Sequence, residues 1–361
     1  MGEGQSSLEG LGGLMYDFYK DKTVLVTGHT GFKGTWLCEF LTLHGAKVTG
    51  YALVPPTKPN LYELAGTDER INSIIGDIRD LDHLKKIFAE VQPEIVFHLA
   101  AQPIVKESYI NPVYTYETNV MGTVNILECI RTTGSVRSFV NVTTDKVYDN
   151  KELDIAYKEE DYLDGFDPYS NSKSCSELVT HSYKRSFFND GRVAISTARA
   201  GNVIGGGDFA PDRIIPDCIR AVATNKDIVV RNPYSIRPFQ HVLESVNAYM
   251  RLAQAQYSDI RYSGAYNIGP DEEDCINTGN LVDIFCNKWG NIKWVNKMVD
   301  GPHEAGFLKL DSSKFKKTFN WEPRWHIEEA IEKTVEWTHV YLNNGNIQEI
   351  MIRQIKEFLK Q

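Results

Sequence analysis

Residues 23–34, TVLVTGHTGFKG, run five β-favouring residues into three glycines spaced three apart, and a helical pattern, WLCEFLTLHG, follows at 36–45. Gly28, Gly31 and Gly34 lack the Cβ that would obstruct a tight turn and the close approach of backbone to a pyrophosphate. The helix that follows turns its first N–H groups toward that phosphate. The same spacing serves an ordinary tight turn. Its place directly after the first strand and before a helix is the context that favours a nucleotide cofactor, with Gly28, Thr30, Gly31, Phe32, Lys33 and Gly34 as the contacts.

The rest of the chain repeats this alternation. KVTGYAL (47–53), SIIGD (73–77), EIVFHLA (94–100) and RSFVNVTT (137–144) read as strands, with HLKKIFAEV (83–91) and NVMGTVNILECIRTTG (119–134) as helices between them. Near-continuous apolar strands separated by helices imply a parallel sheet covered on both faces. The expected fold class is therefore α/β, a doubly wound parallel sheet of Rossmann type, which binds ligands beyond the carboxyl ends of its strands. After residue 200 the texture changes to GNVIGGGDFAPDR, RNPYSIRPFQH and NIGPDEED between shorter helical pieces, which predicts a smaller C-terminal mixed α/β substrate-binding region. The expected divisions are a Gly-rich leader at 1–15, the nucleotide-binding domain at 16–200, the substrate region at 201–340 with segments returning to the first domain, and a C-terminal helix at 341–361.

Composition narrows the function classes. A chain of 361 residues, 42% hydrophobic and 24% charged, buries a large core, and a net charge of −9 argues against neutralising a nucleic-acid backbone. The six cysteines are scattered without any C-x-x-C, so neither a zinc site nor a disulfide framework is expected and a reducing cytosol suits them. No apolar stretch reaches the roughly 18–20 residues needed to span a bilayer.

Two further motifs carry chemistry. In DPYSNSK (167–173), Asp167 is a good N-cap and Pro168 suits the first helical position, which puts Tyr169 and Lys173 one turn apart on one helix face. A cation so placed is expected to lower the phenol pKa from about 10, making it an acid/base near neutrality. A surface tyrosine beside a solvated lysine has the same spacing, as Tyr16 and Lys20 illustrate before the first strand. In NVTTDKVYDN (141–150) two opposite charges, Asp145 and Lys146, stand where a buried strand opens. A bland reading is an ion pair at a strand terminus.

The order of glycine turn, Thr143–Thr144 at a strand end, then Tyr169 and Lys173 on the next helix resembles the short-chain dehydrogenase/reductase superfamily in its extended, sugar-nucleotide form. HLAAQ (98–102), TNVMGT (118–123) and RAGNVIGGG (199–207) also match, and the resemblance runs from about Lys22 to Trp337. It implies that Thr144 binds the reacting hydroxyl, Tyr169 takes its proton, and Lys173 holds the nicotinamide ribose. It also implies that Asp77, Ile78, Leu99, Ala100, Ala101 and Asn119 line the cofactor, and that Gln102 and Asn202 meet the substrate. The second strand ends GYALVPP with no carboxylate for the adenosine ribose, and Lys33 or Lys58 would instead meet a 2′-phosphate, although a solvated lysine is the plainer reading of each. NAD is expected on resemblance, with NADP the alternative.

The charged pair points within that superfamily to the 4,6-dehydratase branch, which needs proton transfers that a 4-epimerase does not. Asp145 would protonate the departing 6-hydroxyl as a general acid. Lys146 would act as the C5 base if its pKa were lowered, or stabilise the enolate charge. Arg237 matches a diphosphate or ribose clamp, with Arg213, Arg231 and His303 as further substrate contacts, a bland surface role serving Arg231 or His303 equally well. His241 reads as a core histidine. The rival classes are a sugar-nucleotide 4-epimerase and a non-catalytic nucleotide-binding regulator. The expected partner is a nucleotide sugar, with no nucleic acid, membrane or metal, and the family likeness implies a homodimer or dimer of dimers through helices around 111–133 and 169–188.

Overall fold

The computed structural model describes residues 17–297 and 307–360, so the Gly-rich leader, Tyr16 and His303 lie outside the described residues. Strands β1 (Thr23–Thr27), β2 (Lys47–Ala52), β3 (Asn72–Ile75), β4 (Ile95–His98), β5 (Ser138–Thr144), β6 (Ala194–Ala200) and β7 (Ala265–Ile268) form one seven-stranded sheet. Its order is β7-β6-β5-β4-β1-β2-β3, parallel throughout. The order reverses between β1 and β4, and this is where a doubly wound sheet leaves a crevice.

The period-2 geometry of a strand explains why both faces are covered. In β1, Val24 and Val26 pack into one core with Trp36 and Phe40 of helix α1 (Phe32–Leu43), while Leu25 points into the opposite core with Phe88 and Val96. Helices α2 (Leu81–Val91), α3 (Gly122–Thr132) and α4 (Pro168–Phe187) cover that second face. Each fully buried Val, Leu or Phe contributes roughly 1.5–3 kcal/mol, and a one-residue slip of any strand would move its set to the wrong face. Asp80 accepts a hydrogen bond from His83 N and so starts α2, as Asp167 does for α4.

The region after residue 200 does not form a continuous block. Helix α5 (Ile214–Ala223) belongs to a separate core with α7 (Thr278–Trp289) and α8 (Ile327–Leu342), built on Ile215, Cys218, Leu281, Phe285 and Ile331. Helix α6 (Val242–Ser258), strand β7 and helix α9 (Ile347–Lys360) return to the main sheet, where Val246, Tyr249, Ile350 and Phe358 join the core of α1. The stretch expected as one helix at 119–134 is divided instead. Glu117–Met121 forms a wide π-helical turn before α3 begins, and a π turn re-aims the side chains it carries, here Asn119. Among the described residues no helix is long and apolar enough to cross a membrane.

Candidate active site

The first glycine turn lies at the reversal point of the sheet. Gly28 has φ +79°, and a Cβ on it would fall 2.7 Å from Ala100 N. A Cβ on Gly34 would fall 2.1 Å from Gly28 O. The turns after β1 and β4 are thus packed backbone to backbone, which no larger residue would allow. Thr27 Oγ1 lies 2.7 Å from His98 Nδ1 and accepts from Ala100 N at 3.2 Å, joining the two strand ends below. Thr30 donates to Leu53 O at 2.9 Å and fixes the turn against the end of β2. A backbone cradle at the start of α1 fits the diphosphate of a dinucleotide. At the adenosine end β2 is followed by exposed Leu53 and Val54. The Asp77 carboxylate is taken by Arg79, whose hydrogen bonds hold it below its usual range. Ile78 is buried, and its carbonyl accepts from Asn125.

Lys33 departs from expectation. Its ammonium turns inward and donates to Tyr249 on α6 at 3.2 Å. Burial, reinforced by the charges of Arg213 and Lys173, draws its pKa down to about 7. It is therefore neither a solvated lysine nor a group for a 2′-phosphate at the end of β2. Lys58 stays exposed.

On the other side of the crevice, β5 delivers Thr144 and Asp145, and α4 delivers Tyr169 and Lys173. Asp167 caps α4 by accepting from Ser170 N at 2.9 Å and Ser170 Oγ at 2.6 Å. Lys173 reaches across to β5 and donates to Val142 O at 3.2 Å, and burial lowers its pKa to about 8. Tyr169 is buried, and Thr144 lies close enough to act on its phenol. Its phenol pKa is pushed up to about 12 by burial and, more weakly, by Asp145, while Thr144 and Arg213 oppose the rise. The expectation that Lys173 would lower this pKa is corrected: Lys173 spends its ammonium on Val142 O, and in a dry site the cost of a phenolate outweighs the neighbouring cations.

Asp145 is 2% exposed. Its Oδ1 accepts from Thr144 Oγ1 at 2.9 Å, and its Oδ2 has no hydrogen-bond partner among the described residues. Burial raises its pKa against the pull of Lys146, Thr144 and Arg237. Gly201, just past β6, makes room for it, since a Cβ there would lie 3.2 Å from Asp145 Oδ2. The result is a carboxyl that keeps its proton to higher pH, with one buried oxygen left unpartnered among the described residues.

The remaining candidates divide. Arg213, which donates to buried Asp208 at 2.9 Å, lies close enough to act on both Tyr169 and Lys33. Arg237 is buried and acts on Asp145. Arg231 is held at the surface by Asp212 at 2.6 Å and Asp217 at 3.0 Å. Gln102 has its side chain committed to Thr115 and Ile104 N, and its backbone to Asn119, so it shapes the turn after β4 that carries Leu99, Ala100 and Ala101. Asn119 also donates to Ser172 on α4 at 2.9 Å. Asn202 is half-buried after β6, and its carbonyl accepts from Gln240 N. His241 is a core residue whose Nδ1 accepts from Leu243 N at 3.2 Å, but Nε2 is left without a partner among the described residues.

Sequence reasoning missed Tyr249, Asp208 and the pair Glu177–Arg199. Only Glu177 had a local signal, standing four residues past Lys173 on the same helix face. Among the described residues no group of three His, Cys, Asp or Glu side chains could hold a metal ion. What converges is an uncharged phenol, a protonatable carboxyl, and the cations Lys33, Lys173 and Arg213, facing a dinucleotide cradle. Such a set can oxidise an alcohol and move further protons on the same ligand.

Comparison with known proteins finds relatives along most of the chain. Residues 25–334 match the GDP-mannose 4,6 dehydratase family. A CDP-glucose 4,6-dehydratase of Salmonella typhimurium is 45% identical over 350 residues, covering 95% of this chain and 98% of its own. Among solved structures, a UDP-glucose 4-epimerase of Thermotoga maritima superimposes with a TM-score of 0.77 at 21% identity, covering 88% of this chain and 99% of its own. A dTDP-glucose 4,6-dehydratase of Bacillus anthracis in complex with NAD gives 0.74 at 22%, over 88% and 96%.

Proposed function

The chain belongs to the GDP-mannose 4,6 dehydratase family, and from that premise we propose that it removes water from CDP-glucose, giving CDP-4-keto-6-deoxyglucose, with NAD held at the first glycine turn. The 45% identity to the Salmonella enzyme across nearly all of both chains supports the substrate. The Bacillus anthracis neighbour solved with NAD supports the cofactor over NADP. The single observation that carries the reaction type is Asp145, a buried carboxyl with a raised pKa and an unpartnered oxygen, beside the Thr144–Tyr169 pair. A 4-epimerase has no proton to place there.

NAD held at the turn of Gly28, Gly31 and Gly34 would supply the hydride acceptor for C4 of the hexose and the hydride donor for C6. Thr144 and Tyr169 bind the 4-hydroxyl, and Tyr169, in its phenolate form, takes that proton as the ketone forms. Before that transfer Arg213 offsets the charge of the phenolate, whose formation burial and, more weakly, Asp145 oppose by holding the phenol pKa at about 12. Asp145 gives its proton to the 6-hydroxyl as that group leaves, a step open only to the protonated acid. Lys146, next in the chain, serves C5, as base or as the cation beside the enolate. Arg213 and Arg237 hold the diphosphate, with Asn202.

The test is incubation with CDP-glucose and NAD followed by mass spectrometry, with UDP-, dTDP- and GDP-glucose in parallel. A product lighter by one water, formed fastest from the cytidine nucleotide, is the expected result. An isomer of unchanged mass, or a preference for another nucleotide, sinks the reading.

The assembly belongs to the same proposal. Val113 is 70% exposed and Met121 50%, in a groove they line with Pro112, Tyr116, Val120 and Cys175 of α4. Apolar side chains so exposed on neighbouring helices fit a homodimer through this face. Light scattering should give twice the chain mass for wild type and the chain mass for a Val113→Glu/Met121→Glu variant. The product is a deoxysugar precursor made in the cytosol, a setting that suits six unpaired cysteines.

A further inference from the structure

Behind the end of β5 lies a charged pair that none of the steps above uses. Glu177, two turns beyond Tyr169 on α4, meets Arg199 of β6 at 2.9 Å, and both side chains are fully buried. Dehydrating two ions costs several kcal/mol each, so a buried pair contributes little net stability, and packed apolar side chains would do as well. Its connections indicate another role. Thr143 Oγ1 donates to Glu177 Oε1 at 2.5 Å. Arg199 Nη1 donates to Tyr148 OH at 2.8 Å and to Glu159 O at 3.0 Å, and Tyr148 in turn donates to Asn267 Oδ1 at 2.6 Å. Thr143, Arg199 and Asn267 are register partners across β5, β6 and β7.

Thr143 and Tyr148 are the two ends of the segment that carries Thr144, Asp145 and Lys146. Both ends are tied to one ion pair, and one member of that pair rides on the helix that carries Tyr169 and Lys173. We propose that the Glu177–Arg199 pair is a positioning device: it clamps the Thr144–Val147 segment at both ends against α4 and β6, and so sets the spacing between the alcohol-binding Thr144, the acid Asp145 and the base Tyr169. The roles of those three rest on the dehydratase reading above; the clamp itself does not. A misplacement of about 1 Å in such a group costs on the order of 10²-fold in rate.

Two variants cut the clamp without touching the pair or any catalytic residue. Thr143→Val keeps the volume and removes the bond to Glu177, and Tyr148→Phe removes the bond from Arg199. Each is expected to lower kcat for dehydration about 10- to 100-fold, with KM for CDP-glucose within about twofold, because binding energy is not what is lost. Thr143→Ser, which restores the hydroxyl, should recover most of the rate. Crystal structures of wild type and both variants keep the clamp testable whatever the substrate proves to be. They should show Thr144 and Asp145 displaced relative to Tyr169, and the 3.2 Å bond from Lys173 to Val142 O altered. Wild-type kcat in both variants, or an unmoved Thr144–Asp145 segment, would overturn the proposal even where melting temperature falls. Failure of wild type to dehydrate CDP-glucose overturns the substrate and leaves the clamp to the structural comparison.

Discussion

Replacing Asp145 with asparagine separates two chemical steps that share one site. The amide is nearly isosteric, and its oxygen can still accept the 2.9 Å bond from Thr144. Its nitrogen then occupies the space that Gly201 leaves open, where no side-chain partner competes. What is lost is the proton. A positioned general acid contributes typically 10²- to 10⁴-fold, so elimination should slow by that factor, equivalent to about 3–5 kcal/mol of barrier at 1.36 kcal/mol per tenfold. Oxidation at C4 should not slow in step, because Thr144, Tyr169 and Lys173 remain. The Asp145 charge raises the phenol pKa, so its loss does not disfavour the base form. Stopped-flow absorbance of the reduced nicotinamide should therefore show a burst that decays slowly in Asp145→Asn and hardly accumulates in wild type, with the 4-ketohexose trapped by borodeuteride in the same samples. The pH profile has a definite sign. The proposed acid acts only when protonated and burial raises the Asp145 pKa, so wild-type elimination should fall as pH rises through that raised value, while the residual rate of the variant lacks this limb. Equal slowing of oxidation and elimination would refute the assignment of Asp145 as the acid.

Tyr169→Phe should abolish formation of reduced nicotinamide, by at least about 10²-fold, while circular dichroism and cofactor retention stay those of wild type. Gly28→Ala forces a Cβ to within 2.7 Å of Ala100 N at φ +79°, and should lose NAD binding by titration although the cores are untouched. Glu244 tests the linkage of charge to stability. Burial pushes its pKa up to about 7 although Arg324 N and Trp325 N donate to Oε1. A folded pKa above the unfolded value of about 4.3 means stability that is full below about pH 4 and lost as pH rises toward 7. Glu244→Gln, which cannot ionise, should therefore gain about 3 kcal/mol on wild type in urea denaturation between about pH 4 and about pH 8. A pH-independent difference would contradict the shifted pKa.

Local spacing was enough for much of this molecule. The glycine turn after β1, the Asp167 cap, and Tyr169 with Lys173 on one face follow from residues no more than a turn or a strand apart, and such short-range geometry is fixed by backbone periodicity. The direction of Lys33 was not legible, because its partner Tyr249 is 216 residues away. Nor was the choice between a surface and a substrate role for Arg231, since the carboxylates that hold it at the surface, Asp212 and Asp217, are 19 and 14 residues away.

The phenol of Tyr169 shows the division most plainly. Its helix position is written in DPYSNSK, yet whether its pKa falls or rises depends on how completely α4, β5 and the residues after 200 exclude water around it. Sequence by itself determined the parallel sheet, the cradle at its reversal point and the inventory of acid and base groups. Tertiary structure alone decided which of them are desolvated, that burial raises the Asp145 pKa and that an ion pair stands behind the end of β5. Dielectric environment and long-range partners arise only when distant segments pack, and no local pattern encodes them.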